Sequence, residues 1–184
     1  MKWYHNRNTS PWYAYEPERF HPVANGKYLV DGAVEGFGTI IDWANAKNCM
    51  AVGSVSDAVS GGLRVVSLAD LSTFSCAGPT DDGRIKPDIV ANGETVFSTH
   101  NASNTATKVN NGTSMASPVA AGSALLLQDY YDDRYPGSAM RSSMLKGLML
   151  HTADDIGNPG PDDRYGGGLL NTQRAASLIK DDAD

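Results

Sequence analysis

No stretch of this sequence approaches the roughly eighteen consecutive apolar residues that a membrane span needs, so no membrane partner is expected. Basic charge is also short: 15 Lys and Arg stand against 21 Asp and Glu, a formal net charge of −6. That balance, with no Lys/Arg cluster, excludes the footprint of a nucleic-acid binder. The opening residues, Met1 to Asn8, contain no apolar run, so they do not read as a secretory signal. Cysteine is scarce. Cys49 lies in an apolar run and Cys76 in a loop, and the pair reads as two thiols rather than a bridge, which leaves the redox compartment open. No internal repeat and no low-complexity segment is present.

What remains is ordinary globular material: 184 residues, 41% hydrophobic and 20% charged, enough for one domain with a sizeable core. Residues 1 to about 27 are rich in aromatics and proline and hold no period, which predicts an irregular surface segment. Tyr28 to Val30 reads as a short strand after it. A helical turn is expected across Ile40 to Ala46. Asn48 to Val55 and Lys86 to Ala91 are short, nearly continuous apolar runs of the kind found in strands covered on both faces. Thr73 to Ser75 reads as a short strand, and Val96–Ser98 and Thr107–Val109 as weaker ones. Residues 56–70 form a Gly/Ser-rich excursion. A helix from about Thr113 to Tyr130 is followed by a second one capped by Ser138, with Met140, Met144, Leu145, Leu148 and Met149 on its apolar stripe. Asn171 is placed to cap a final short helix. This alternation predicts an α/β fold with a mostly parallel sheet.

The chain is organised around Asn110-Asn111-Gly112-Thr113-Ser114-Met115-Ala116-Ser117-Pro118. From Met115 to Leu127 there are 13 residues without a charge, most of them small. Such a helix is expected to be buried, with Ser114 at its amino end. There the first backbone N–H groups lack partners and carry partial positive charge, so a serine hydroxyl has donors beside it for a developing oxyanion. Pro118 has no N–H to give the Ser114 carbonyl, which predicts an irregular start. A packing helix whose serine caps its own first turn is the plainer reading of the same residues.

Gly112 to Pro118 also resembles closely the nucleophile motif of the subtilisin-like serine proteases, the subtilases. The resemblance implies that Ser114 is a catalytic nucleophile. Ala46–Val55, Phe74–Pro79 followed by Arg84–Ile89, His151-Thr152-Ala153, and Tyr165–Asn171 resemble further family stretches, in the family's own order. The resemblance runs from about residue 31 to 180. It implies one partial peptidase domain over residues 1–184, with residues 1–30 as an aromatic-rich leader. The implied fold is an incomplete three-layer α/β arrangement with a central buried helix starting near Ser114. It also implies a peptide or protein substrate, and an extracellular or cell-envelope setting. Ala91-Asn92-Gly93 departs from the family's Ala-Pro-Gly by a turn substitution.

A larger departure concerns the base. A serine is a weak nucleophile until a base takes its proton and a carboxylate orients that base. The family's Asp-Ser/Thr-Gly and His-Gly-Thr motifs do not occur in these residues, nor does Ala-Gly-Asn, which carries the side-chain oxyanion donor. His5 and His21 fall in the leader, His100 in a polar loop, and His151 at a helix end where the dipole favours a cation. None has the surroundings of a catalytic base. Asn6 and Asn8 are the nearest substitutes for the oxyanion donor. The sequence therefore reads as the C-terminal half of a catalytic domain, a serine endopeptidase part inactive alone, with the N-terminal half as its expected partner. The alternative is a non-catalytic peptide- or partner-binding module. The Gly-x-Ser-x-Gly elbow of α/β-hydrolases is absent, since Ala116 stands where its second glycine would be. The acidic pairs Asp81/Asp82, Asp132/Asp133, Asp154/Asp155 and Asp162/Asp163 raise calcium, as in many subtilases. Adjacent Asp residues in Gly/Pro turns are turn formers first, and no ligands are assigned.

Overall fold

The computed structural model describes residues 38–183 and, upstream of them, four short strands: β1 (Lys2–Tyr4), β2 (Tyr13–Tyr15), β3 (His21–Pro22) and β4 (Tyr28–Leu29). β1 pairs with β2 and β3 with β4, each antiparallel. The aromatic leader thus holds two small ladders, where only the strand at Tyr28 was expected. His5, Asn6 and Asn8 lie outside the described residues.

The centre is a pair of parallel strands, β5 (Val52–Val55) and β8 (Ile89–Asn92), aligned from Val52↔Ile89 to Val55↔Asn92. Each is the C-terminal part of an apolar run read from the sequence. Four β-branched or small residues in β5, three of them buried, suit a strand covered on both faces. Beyond β8, Val90 donates to the Gly168 carbonyl at 3.0 Å and accepts from the Leu170 amide at 2.9 Å. The closing Gly-rich segment thus lies alongside as a third, parallel neighbour.

Between the central strands, β6 (Val59–Ser60) and β7 (Leu63–Arg64) form a hairpin turned by Gly61 and Gly62, at φ 59° and 77°. Two successive left-handed residues are what a tight two-residue hairpin requires, and glycine adopts them without steric cost. Arg64 ties this hairpin to the far end of the chain. Its guanidinium donates to the Asp154 carboxylate at 2.7 and 2.9 Å and to the Leu170 carbonyl at 2.9 Å. Thr73–Ser75 is not a strand. Ser75 donates its amide to the Ser72 carbonyl, and its buried hydroxyl accepts from the Ser54 amide.

Helix α1 (Thr113–Arg134) packs on β5 and β8 and touches α2 (Ser142–His151) and α3 (Thr172–Ala183). It runs four residues beyond the expected end at Tyr130. Its burial is narrower than expected: Ala116, Ala120 and Leu127 are buried, but Leu125 is 72% and Leu126 65% exposed. The central helix is enclosed along one stripe only, because strands and helices stand on that side alone among the described residues.

Helix α2 begins at Ser142, not at Ser138. The Gln128 side chain on α1 takes both backbone groups of Met140, accepting from its amide at 3.0 Å and donating to its carbonyl at 2.9 Å. With Met140 held there and buried, the helix cannot start earlier. Asn171 caps α3 as expected, its Oδ1 accepting from the Arg174 amide at 2.9 Å. No helix among the described residues is long and apolar enough to cross a membrane.

Candidate active site

β9 (Val96–Thr99) and β10 (Thr107–Asn110) form an antiparallel ribbon leading into Asn111, Gly112 and α1. Gly112 takes φ 149°, ψ 158°, a backbone that favours glycine, and turns the chain from strand to helix. Its carbonyl accepts from the amides of Met115 at 2.9 Å and Ala116 at 3.3 Å. The amides of Thr113 and Ser114 precede these and have no acceptor inside the helix. Ser114 is exposed, and its hydroxyl has no hydrogen-bond partner among the described residues. The structure thus puts a serine hydroxyl without a partner among the described residues beside backbone donors that no helical carbonyl takes, at the positive end of a 22-residue helix.

Two clamps hold this tip. The Gly112 amide donates to the Gly93 carbonyl at 2.7 Å, and the Thr95 amide donates to the Asn111 side-chain oxygen at 2.6 Å. Thr95 sits at φ 55°, an uncommon backbone for a β-branched residue, and the Asn111 bond offsets that strain. Asn92, where the family carries proline, accepts the Glu94 amide on its own side chain at 2.9 Å, so the substitution makes an Asx turn. Pro118 lies inside the helix, which starts at Thr113, one residue before the serine. The Ser117 hydroxyl donates to the Thr113 carbonyl at 3.0 Å in that first turn.

Neither His100 nor His151 is hydrogen-bonded to the serine. The His100 ring accepts from the Ala102 amide at 3.3 Å, a loop-stabilising role. His151, at the C-terminal end of α2, lines a cleft of about 550 Å³ with Asp88 and Asp155; Ser114 is not part of that cleft. His21 lies in β3.

The acidic pairs do turn and clamp work. Asp162 accepts from the amides of Arg164, Tyr165 and Asn158, and Asp155 accepts from Gly160. Asp154 holds Arg64 and Asn171. Asp82 binds Arg84 and Thr80, and the Arg84 guanidinium above all pulls its carboxyl down to about 2. Burial, reinforced by Asp162, pushes Asp163 up. Among the described residues no group of three or more His, Cys, Asp or Glu is placed to hold a metal ion. Cys49 and Cys76 are not joined by a disulfide.

One charged cluster was not read from the sequence. Asp88, at the mouth of β8, accepts from Lys86 at 2.6 Å, Lys146 at 2.7 Å and the Ala51 amide at 2.7 Å. Lys86 is 2% exposed. Burial alone would raise the Asp88 carboxyl, but the two lysines and the amide together carry it below its ordinary value. This knot joins β8, α2 and the start of β5. The signal was in Lys86-Pro87-Asp88, where two opposite charges flank a proline at the entrance of an apolar strand.

The parallel pair, the helix across it and the serine at the helix tip form an α/β arrangement of subtilisin type. A family model described as the Subtilase family matches residues 23–168, and the chain belongs to that family. It is 46% identical over 93 residues to the C5a peptidase of Streptococcus pyogenes, across 50% of this chain and 8% of that protein. It is 36% identical over 107 aligned positions to the Serine protease/ABC transporter B family protein tagD of Dictyostelium discoideum, across 46% of this chain and 6% of that one. The CspB protease of Clostridium perfringens superposes with a TM-score of 0.65 at 26% identity, covering 78% of this chain and 29% of that chain. The patellamide maturation protease PatA gives 0.60, also at 26%, covering 79% and 48%. The chain thus spans less than a tenth of the curated relatives it matches and under half of these two solved chains.

Proposed function

We propose that this chain is the nucleophile-bearing part of a subtilase endopeptidase domain. Ser114 Oγ attacks the peptide carbonyl carbon; the carbonyl oxygen becomes an oxyanion held by the Ser114 amide. A base takes the hydroxyl proton as the new bond forms and gives it to the amine as the C–N bond breaks, leaving an acyl-enzyme on Ser114 that water, deprotonated by the same base, then hydrolyses. The observation that carries this reading is the exposed Ser114 hydroxyl at the amino tip of α1, without a partner among the described residues, with the family match around it. The base and its orienting carboxylate come from a segment carrying the Asp and His motifs, the N-terminal half of such a domain. The bare face of α1, with Val119, Leu125 and Leu126, is the surface on which that half seats.

Fluorophosphonate labelling and peptide turnover test this together. Expected are slow labelling that maps to Ser114, its loss in Ser114→Ala, and no measurable turnover by the 184 residues alone. Labelling that survives the substitution removes Ser114 from the mechanism. Brisk turnover would show that the base is already within this chain.

A second reading, a non-catalytic module that binds a peptide or partner chain, draws on the same bare helix face and on Phe97, 70% exposed on β9. Light scattering after size exclusion separates the two. Concentration-dependent association that Ser114→Ala leaves intact, with no labelling of the parent, favours the binding module.

A further inference from the structure

We propose that Gly93 is a positioning residue for Ser114, holding the Asn92–Thr95 turn against the strand-to-helix turn so that the serine sits at the helix tip. The proposal rests on the reading of Ser114 as nucleophile and adds a residue that the family motif around the serine does not contain.

Gly93 is buried where β8 ends. Its amide donates to the Val55 carbonyl, at the end of β5, at 3.1 Å, and its carbonyl accepts from Gly112 at 2.7 Å. One residue is therefore bonded at once to the central sheet and to the turn that delivers Ser114. A Cβ at this position would overlap the Ser54 hydroxyl, come within 3.0 Å of Ser54 Cβ, and lie 2.6 Å from the Gly112 carbonyl oxygen.

The two glycines are required for different reasons. At Gly112 the constraint is conformational: φ is 149°, and an added Cβ would meet no atom closer than the Met115 sulfur at 3.5 Å. At Gly93 the backbone is one that other residues adopt, and the constraint is space alone. That space cannot be made on the sheet side. Ser54 is fully buried in β5, its hydroxyl is bonded to Ser72 Oγ at 2.8 Å, and its amide to Ser75 Oγ at 3.0 Å. The Gly112 carbonyl, two residues before the nucleophile and the acceptor for the first helix amides, is the side that gives. A side chain at position 93 is thus transmitted to Ser114.

The test reads the tip without needing the base. In a Ser114→Cys background, iodoacetamide alkylation of residue 114 is followed against pH by mass spectrometry. A thiol at a helix amino end titrates below its ordinary value of about 8.5 and is correspondingly reactive at neutral pH. Adding Gly93→Ala is expected to lower the rate at pH 7 about tenfold, with the midpoint rising by about one unit toward that value. Gly93→Ala/Ser54→Ala opens room on the sheet side and leaves the contact with Gly112. It is expected to regain thermal stability while the introduced thiol stays slow, a split that a purely packing role for Gly93 would not give. Asn111→Ala adds no atom and frees Thr95 from the turn; it is expected to slow alkylation at position 114 about threefold. Rates and midpoints in the double variant and in Asn111→Ala that match the Ser114→Cys parent would overturn the proposal, as would recovery of reactivity together with stability. An ordinary thiol titration in the parent would instead sink the nucleophile reading, and Gly93 would still be judged by the ratio of rates.

Discussion

The two faces of α1 are made of the same kinds of residue and have opposite fates. On one, Ala116, Ala120 and Leu127 are buried against β5, β8 and α3; on the other, Val119, Leu125 and Leu126 stand exposed. Small side chains at positions 116 and 120 let the helix axis approach the sheet closely, so they encode a distance of approach. They say nothing of how many sides are covered. The hydrophobic effect scales with area removed from water, and on the second face these residues bring little area out of it.

Substitutions on the buried side should therefore be costly and those on the bare side nearly silent. The largest effect is expected just off the helix, at the knot that pins α2 beside it. Asp88→Ala leaves Lys86 buried without its carboxylate and should cost about 3–5 kcal/mol in chemical denaturation. Leu127→Ala should cost about 2–5 kcal/mol, and the same truncation at Leu126 less than about 0.5 kcal/mol. Comparable losses at both positions would show that the bare face is covered in solution.

Acid should weaken the knot in the same direction. The folded Asp88 carboxyl lies below its ordinary value, so its contribution is complete above the unfolded value of about 3.9 and is lost as pH falls through the folded one. The melting temperature should drop on that descent, with a shallower acid limb in Asp88→Asn. The smallest effect on stability is expected from Leu126→Lys: an unchanged melting temperature, with any self-association seen by light scattering reduced.

Local chemistry was legible where one residue decides the outcome. Asn171 caps α3 because its side chain reaches the amide three residues on, and the β9–β10 ribbon follows from two β-rich runs around a polar loop. The serine at the start of a small-residue helix was readable for the same reason. Long-range capture was not. The start of α2 is set by Gln128 on another helix, and Asp88 finds Lys146 58 positions away on α2. The Gly61-Gly62 pair carried a hairpin signal that the surrounding Ser and Gly diluted. The tolerance at Gly93 depends on Ser54 in β5 and on a turn 19 residues later, a constraint no local pattern announces. One-sided burial of α1 was illegible because composition reports a preference for enclosure, not the neighbours that supply it.

The Gly168–Leu170 segment laid along β8, together with the Arg64 clip to Asp154 and Leu170, bears on the order of assembly. During synthesis the serine-bearing turn emerges well before the segment that flanks its supporting strand. Until that late stretch arrives, β8 lacks one of its two parallel companions and the hairpin lacks its anchor. Loop closure over such separations slows folding, so in a nascent chain the turn bearing Ser114 should stay unconsolidated until residues 168–170 have been made.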